Sequence, residues 1–167
     1  VSTLNTRTIV ALLTVGLLVL GAAFTGVLWV LVRNADSRDP EITAYAHGTT
    51  VTVPPFMYCT VRMEDCRYGE TVSLDVPAGY PLQLSLPTQI SGAPWLIQQV
   101  YELPSGEEVA EMSGHAEFDG ARAITIDSQP EPDLRLVGVE IQLPILARDE
   151  TGREFYVPHA VWSIKTA

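Results

Sequence analysis

Basic residues are scarce in this chain: 10 Lys and Arg stand against 20 Asp and Glu in 167 residues, for a formal net charge of −10. The deficit lies after residue 38, where 19 acids meet 7 bases; the first 38 residues carry three arginines and one aspartate. A region this acidic cannot release phosphate counterions, which argues against nucleic acid as a partner. It is also repelled by anionic lipid head groups. The acids are read as a solvated, solubilising surface.

Histidine and cysteine are scarce too. Zinc sites use four ligands, often in paired short spacings; here there are two cysteines, Cys59 and Cys66, and the histidines at 47, 115 and 159 stand alone. The C-x6-C spacing is not the C-x-x-C of redox motifs. No G-x-S-x-G elbow marks a nucleophilic serine. His159 in "VPHAVW" lies within ten residues of Asp149, Glu150 and Glu154. Strand-end histidines commonly sit near acids without chemistry, and His115 in "SGHAEF" reads as a loop residue for the same reason. The acid pairs Glu64-Asp65, Glu107-Glu108 and Asp149-Glu150 all fall in predicted turns, and "DETG" (149–152) is too short for a calcium loop. No catalytic residue, metal ligand or cofactor is therefore expected, and the chain reads as a non-enzyme.

What the sequence does have is one long apolar run. Residues 9–32, "IVALLTVGLLVLGAAFTGVLWVLV", contain no charge and only Thr14 and Thr25 as polar side chains. As a helix the run would extend roughly 36 Å, enough to cross a hydrocarbon core of about 30 Å with some tilt. A cleaved signal peptide would be shorter; the one small-x-small site, Gly21-Ala22-Ala23, is followed by further apolar residues. No cysteine near the end of the run offers a lipid attachment. The run is read as a single uncleaved transmembrane helix. Gly21, Ala22, Thr25 and Gly26 form a small-residue face at four-residue spacing, a candidate helix-packing surface. Trp29 suits an interfacial anchor.

Arg7 lies before the run and Arg33 and Arg38 after it, so a count of bases does not favour an inside N-terminus. The shortness of the tail, 1–8, and the paired cysteines beyond the run do favour it. The expected order is a cytoplasmic tail (1–8), the helix (9–32), a polar juxtamembrane linker "RNADSRDPE" (33–41) and an extracytoplasmic domain (42–167) in the cell membrane. Val1 fits a GTG start codon translated literally.

From residue 42 the chain turns to short runs rich in Val, Ile, Thr and Tyr, divided by Pro and Gly, which read as strands. "ITAYA" (42–46) and "TTVTV" (49–53) flank His47-Gly48; "TVSLDVP" (71–77) and "PLQLSLP" (81–87) alternate apolar and polar. "PWLIQQVYEL" (94–103), "EEVAEM", "RAITI" (122–126), "EFYVP" and "AVWSIKT" follow, separated by turns. In "LRLVGVEIQLPIL" (134–146) the alternation slips near Gly138, which predicts a β-bulge. Eight to ten strands, no convincing soluble helix and no repeat predict an all-β, immunoglobulin-like two-sheet sandwich, with a small closed barrel as the alternative. Trp95 and Trp162 are the expected core anchors. The Cys-Trp-Cys spacing of antibody domains is absent.

Cys59 and Cys66 in "YCTVRMEDCRYG" could be metal ligands, a redox pair or a staple. The compartment decides. If the preceding helix carries them outside the cytoplasm, two nearby cysteines bond, and closing this short loop is worth about 2.5 kcal/mol. Pro54-Pro55 precede the staple, and Phe56, Met57, Tyr58 and Tyr68 flank it, a candidate interaction surface.

"EITAYAHG", "YCTVRMEDC", "YPLQLSLPTQISGAPWLIQQVYE", "LVGVEIQLPIL" and "VPHAVWSI" together resemble the DUF2771 family of exported or membrane-anchored actinobacterial proteins. The resemblance spans residues 41–165 and implies placement in a bacterial cell envelope behind an N-terminal apolar segment. It implies no catalytic residues.

The leading functional expectation is a non-enzymatic, membrane-anchored module that docks a membrane protein or an envelope assembly. The alternative is a lipid-, glycan- or small-ligand-binding domain, with Phe56, Met57, Tyr58 and Tyr68 as candidate lining. An enzyme would require His159 or His115 beside a carboxylate in a deep cleft.

Overall fold

The computed structural model describes residues 5–33 and 39–167, and the chain divides into two units, residues 1–38 and 39–167. Residues 1–4 of the expected tail and 34–38 of the expected linker lie outside the described residues.

In the first unit a single helix, α1, runs from Thr6 to Arg33. It begins before the apolar run, where Thr8 N and Ile9 N donate to Asn5 O (2.8 and 3.2 Å). Its described residues are exposed all round. A helix apolar on every side, without protein cover, has the composition of a membrane span. The hydroxyls of Thr14 and Thr25 donate to Val10 O (2.7 Å) and Gly21 O (2.8 Å), so both polar side chains of the run are satisfied within the helix. The Arg33 guanidinium sits 5.0 Å from the centre of the Trp29 ring.

The second unit is a two-sheet β-sandwich. The smaller sheet holds β1 (Ile42–Ala46), β2 (Thr49–Val53), β6 (Leu82–Ser85) and β9 (Ala123–Ile126), in the order β2-β1-β6-β9. The larger sheet holds β3 (Met57–Tyr58), β4 (Arg67–Tyr68), β7 (Leu96–Glu102), β8 (Glu108–Gly114), β10 (Arg135–Arg148) and β11 (Glu154–Lys165), in the order β4-β3-β11-β10-β7-β8. A two-residue strand, β5 (Val72–Ser73), lies parallel to the end of β11. The other pairings are antiparallel, and among the described residues no ladder joins the sheets, so the sandwich, layered as in immunoglobulin-like domains, holds and the closed barrel does not.

Alternation explains the layers. Ile42, Ala44 and Ala46 of β1 and Leu82 and Leu84 of β6 point inward, against Ile97, Ile141 and Trp162 of the larger sheet. Trp95 and Trp162 are both fully buried, and Trp162 Nε1 donates to Pro40 O at 2.8 Å, fixing where the chain enters the domain.

The slip near Gly138 is a bulge: pairing to β7 steps from Leu136–Tyr101 to Gly138–Val100, leaving Val137 as the extra residue. A second bulge, not anticipated, lies on β11. Leu143 pairs with Ala160 and Pro144 with Pro158, so His159 is the extra residue. Two prolines facing each other cannot donate to the ladder, and the bulge absorbs that break. "EFYVP" and "AVWSIKT" are therefore one continuous strand. "TVSLDVP" is a strand only at Val72–Ser73, although Leu74 N and Val76 N still donate to Lys165 O (2.9 Å) and Thr166 O (3.1 Å).

Two single-turn helices qualify the expectation of none. Thr88–Ser91 starts after Pro87, whose φ of −65° suits a helix entry, and His115–Phe118 forms a 3-10 turn that places His115 outside a simple loop.

Candidate functional site: the stapled loop and the outer face of the larger sheet

The sequence Pro54-Pro55 ends the ladder of β2 and releases the chain towards β11. Phe56 N donates to Val161 O and Cys59 N to His159 O, each at 2.8 Å, which lays β3 along β11. The loop then folds on itself: Met63 N donates to Thr60 O (2.8 Å) and Thr60 N to Glu64 O (3.0 Å). Met63 and Asp65 take left-handed backbone (φ 59° and 51°), the tight path needed to bring Cys66 back. Cys59 and Cys66 are bonded, with Cα atoms 4.1 Å apart. β4 returns beside β3, and Gly69 N donates to Phe56 O at 2.9 Å. A Cβ on Gly69 would lie 2.6 Å from Pro55 O, so this crossing of backbones demands glycine.

The four flanking side chains do not form one surface. Met57 and Tyr68 stand opposite each other on the outer face of the larger sheet. Tyr58 points the other way: its ring meets Trp162 edge-on at 6.4 Å between centroids, and the Arg67 guanidinium lies 5.7 Å from its centre. Phe56, just before β3, is exposed.

Register extends the outer face well beyond the loop. Tyr68, Met57, Val161, Gln142 and Leu96 form one row across five strands. Pro144 and Pro158 form the next, and Leu146 and Tyr156 the one after. The last pair belongs to an arm, residues 144–148 and 154–158, in which no residue is buried. Tyr68 and Tyr156 are each 72% exposed and Leu146 57%. A cleft of about 290 Å³ is lined by Pro94, Leu96, His115, Pro144 and Tyr156. The sequence signal for this face was the pair of prolines and the exposed aromatics, but register was needed to align them.

The histidines and acids are separated. A carbonyl can only accept, so His159 Nδ1 donates to Cys59 O (3.1 Å), and the bulge thereby ties the ring to the staple. Glu154 pairs with Arg148 instead. Asp149 accepts from Thr151 Oγ1 (2.6 Å), Thr151 N and Arg153 N, and the Thr151 hydroxyl, followed by the Arg153 amide, holds its carboxyl below the ordinary 3.8. His115 packs edge-on to Trp95, 6.5 Å between centroids. Among the described residues no three of His, Cys, Asp and Glu gather as metal ligands. Tyr101 lies beneath the sheet, its hydroxyl 2.9 Å from Gln99 Oε1 and 3.1 Å from Asp127 O; burial, then Glu111 and Asp127, push it up to about 12.

On α1, Gly21, Ala22, Thr25 and Gly26 lie along one exposed face, and nothing occupies the space a Cβ would take on either glycine.

By class, then, this is an all-β sandwich carried behind one apolar helix and pinned by a disulfide. A model of the family described as "Protein of unknown function (DUF2771)" matches residues 35–167, and the chain belongs to that family. It is similar to the uncharacterized protein Rv0875c of Mycobacterium tuberculosis and to Mb0899c of Mycobacterium bovis. Each is 39% identical over 139 residues, covering 82% of this chain and 83% of the relative. No solved structure matches the chain.

Proposed function

We propose that the chain is a single-pass, membrane-anchored module of the bacterial cell envelope. Its N-terminus is cytoplasmic, its β domain is extracytoplasmic, and it docks an integral membrane protein or envelope assembly without catalysing a reaction. The apolar helix supports the anchor, and the disulfide supports the oxidising side. The observation that carries the docking role is the outer face of the larger sheet. Tyr68, Met57, Val161 and Leu96 share a row with the polar Gln142, Val161 being buried. The large apolar side chains exposed on this face are Tyr68 at one edge and Leu146 and Tyr156 on the arm. Exposed apolar side chains gathered on one face of a sheet mark interaction sites. The net negative charge of the domain favours a partner with basic residues around an apolar patch.

Crosslinking of intact cells with a membrane-impermeant reagent, followed by mass spectrometry, tests both location and docking. The expected result is a defined adduct with a membrane protein. Recovery of the chain unmodified, or modified only after lysis, contradicts the reading.

A further inference from the structure

The outer face of the smaller sheet has a different chemistry. Register places Thr52, Thr43, Ser85 and Ala123 in one row across its four strands. Thr50, Tyr45, Gln83 and Thr125 form the adjacent row. All these residues are exposed and none is charged, in a domain whose acids outnumber its bases by 19 to 7. The charges begin only past the strand ends, at Glu41, Arg122 and Asp127.

One end of this platform is closed by aromatic rings. His47 and Gly48 make the two-residue turn between β1 and β2, both with positive φ (42° and 83°). That turn lays the His47 ring 4.2 Å from the centre of Tyr80, which arrives on a separate turn where Tyr80 N donates to Pro77 O (3.0 Å). Tyr45 and Tyr80 remain 42% and 48% exposed. Two clefts run together over the face. One, of about 410 Å³, is lined by Tyr45, His47, Tyr80, Pro81 and Gln83; the other, of about 270 Å³, shares Tyr45 and Gln83 and continues to Ser85 and Thr125.

We infer that this face binds a neutral, polyhydroxylated chain, a glycan, laid along the trough from Tyr80 to Thr125. The C–H faces of sugar rings carry partial positive charge and stack on the negative faces of tyrosine rings. Threonine and serine hydroxyls each both donate and accept, and the Gln83 amide offers two donors and an acceptor. This is the complement a ring of hydroxyls needs. Charged glycans are disfavoured: no Lys or Arg lines either cleft, and the surrounding domain is acidic. A lipid is disfavoured by the density of hydroxyls, which an acyl chain would leave unpaired. The site lies on the opposite sheet from the docking face, so the two can fail independently.

The test is saturation-transfer NMR on the full-length chain in phosphatidylcholine nanodiscs, with maltohexaose, cellohexaose, α-1,6-mannohexaose and β-1,6-galactohexaose as probes. Transfer to the ring protons of at least one probe is expected. Tyr45→Ala and Tyr80→Ala should each weaken binding about tenfold, while Tyr45→Phe, which keeps the ring, should bind nearly as wild type. Tyr156→Ala, on the other sheet, should leave binding unchanged. Melting curves confirm that these exposed-site variants fold. Transfer to none of the probes overturns the inference, as does transfer undiminished in the Tyr45→Ala/Tyr80→Ala double variant. A protein adduct at a photoreactive residue replacing Thr50, without saccharide binding, overturns it in favour of a protein interface.

Discussion

The two outward faces of this sandwich obey the same two-residue period and carry different chemistry. On the larger sheet the outward positions include Met57, Leu96, Pro144, Pro158 and Val161 beside Gln98, Glu140 and Gln142, and the arm adds Leu146 and Tyr156. On the smaller sheet they are threonine, serine, glutamine and tyrosine. Strand propensity alone does not separate them, since Thr and Tyr form strands as readily as Leu and Met. What separates them is what each face can exchange for water: contact area on one side, hydrogen bonds and ring stacking on the other. The staple belongs to the first face only. It fixes the edge where β3 and β4 meet β11, and the smaller sheet is held by its ladders without a covalent tie.

The strongest way to break the comparison is to remove what both faces share. Trp162→Ala empties the core between the sheets and frees Pro40 O, and should cost about 3–5 kcal/mol. The melting temperature should drop by roughly 10–15 °C, with both faces lost in one transition. Two separate transitions would mean that the sheets fold independently.

A smaller and one-sided effect is expected from the staple. Cys59→Ser/Cys66→Ser should lower stability by about 2.5 kcal/mol, seen as a lower melting temperature. Below that temperature, amide exchange should accelerate most at residues 57–68, while β1, β6 and β9 rise by no more than the global loss of stability. Acceleration spread evenly over both sheets would remove the distinction between the faces.

The least effect is at the tip of the arm. Asp149 has a folded-state carboxyl held below its unfolded value of 3.8, so its hydrogen bonds to Thr151 and Arg153 contribute above that pH. The contribution is lost as pH falls through the folded value. Amide exchange at Thr151 and Arg153 should therefore rise below about pH 4, and Asp149→Asn should abolish that dependence while leaving the stapled loop untouched. A wild-type tip insensitive to acid would show that these hydrogen bonds do not order the arm.

Much of the fold could be read from short-range pattern. "PLQLSLP" alternates, and its three leucines, Leu82, Leu84 and Leu86, are all buried. The slip at Gly138 reads directly as the extra Val137, and Trp95 and Trp162 occupy the core. The features that escaped depend on register between distant segments. The bulge at His159 exists because Pro144 and Pro158 meet, which no local window reveals. Tyr58 turns inward because Met57, its neighbour, pairs outward with Val161. Tyr45, Gln83 and Tyr80 come together only once β1 and β6 pair, so the polar platform is invisible as a motif.

The docking role is tested most directly by a photoreactive amino acid placed in turn at Tyr156, Tyr68 and Thr52 of the full-length chain in intact cells. Ultraviolet light should give the same membrane-protein adduct from Tyr156 and Tyr68 and none from Thr52. Adducts from Thr52 alone, or from none of the three sites, would contradict a docking face on the larger sheet.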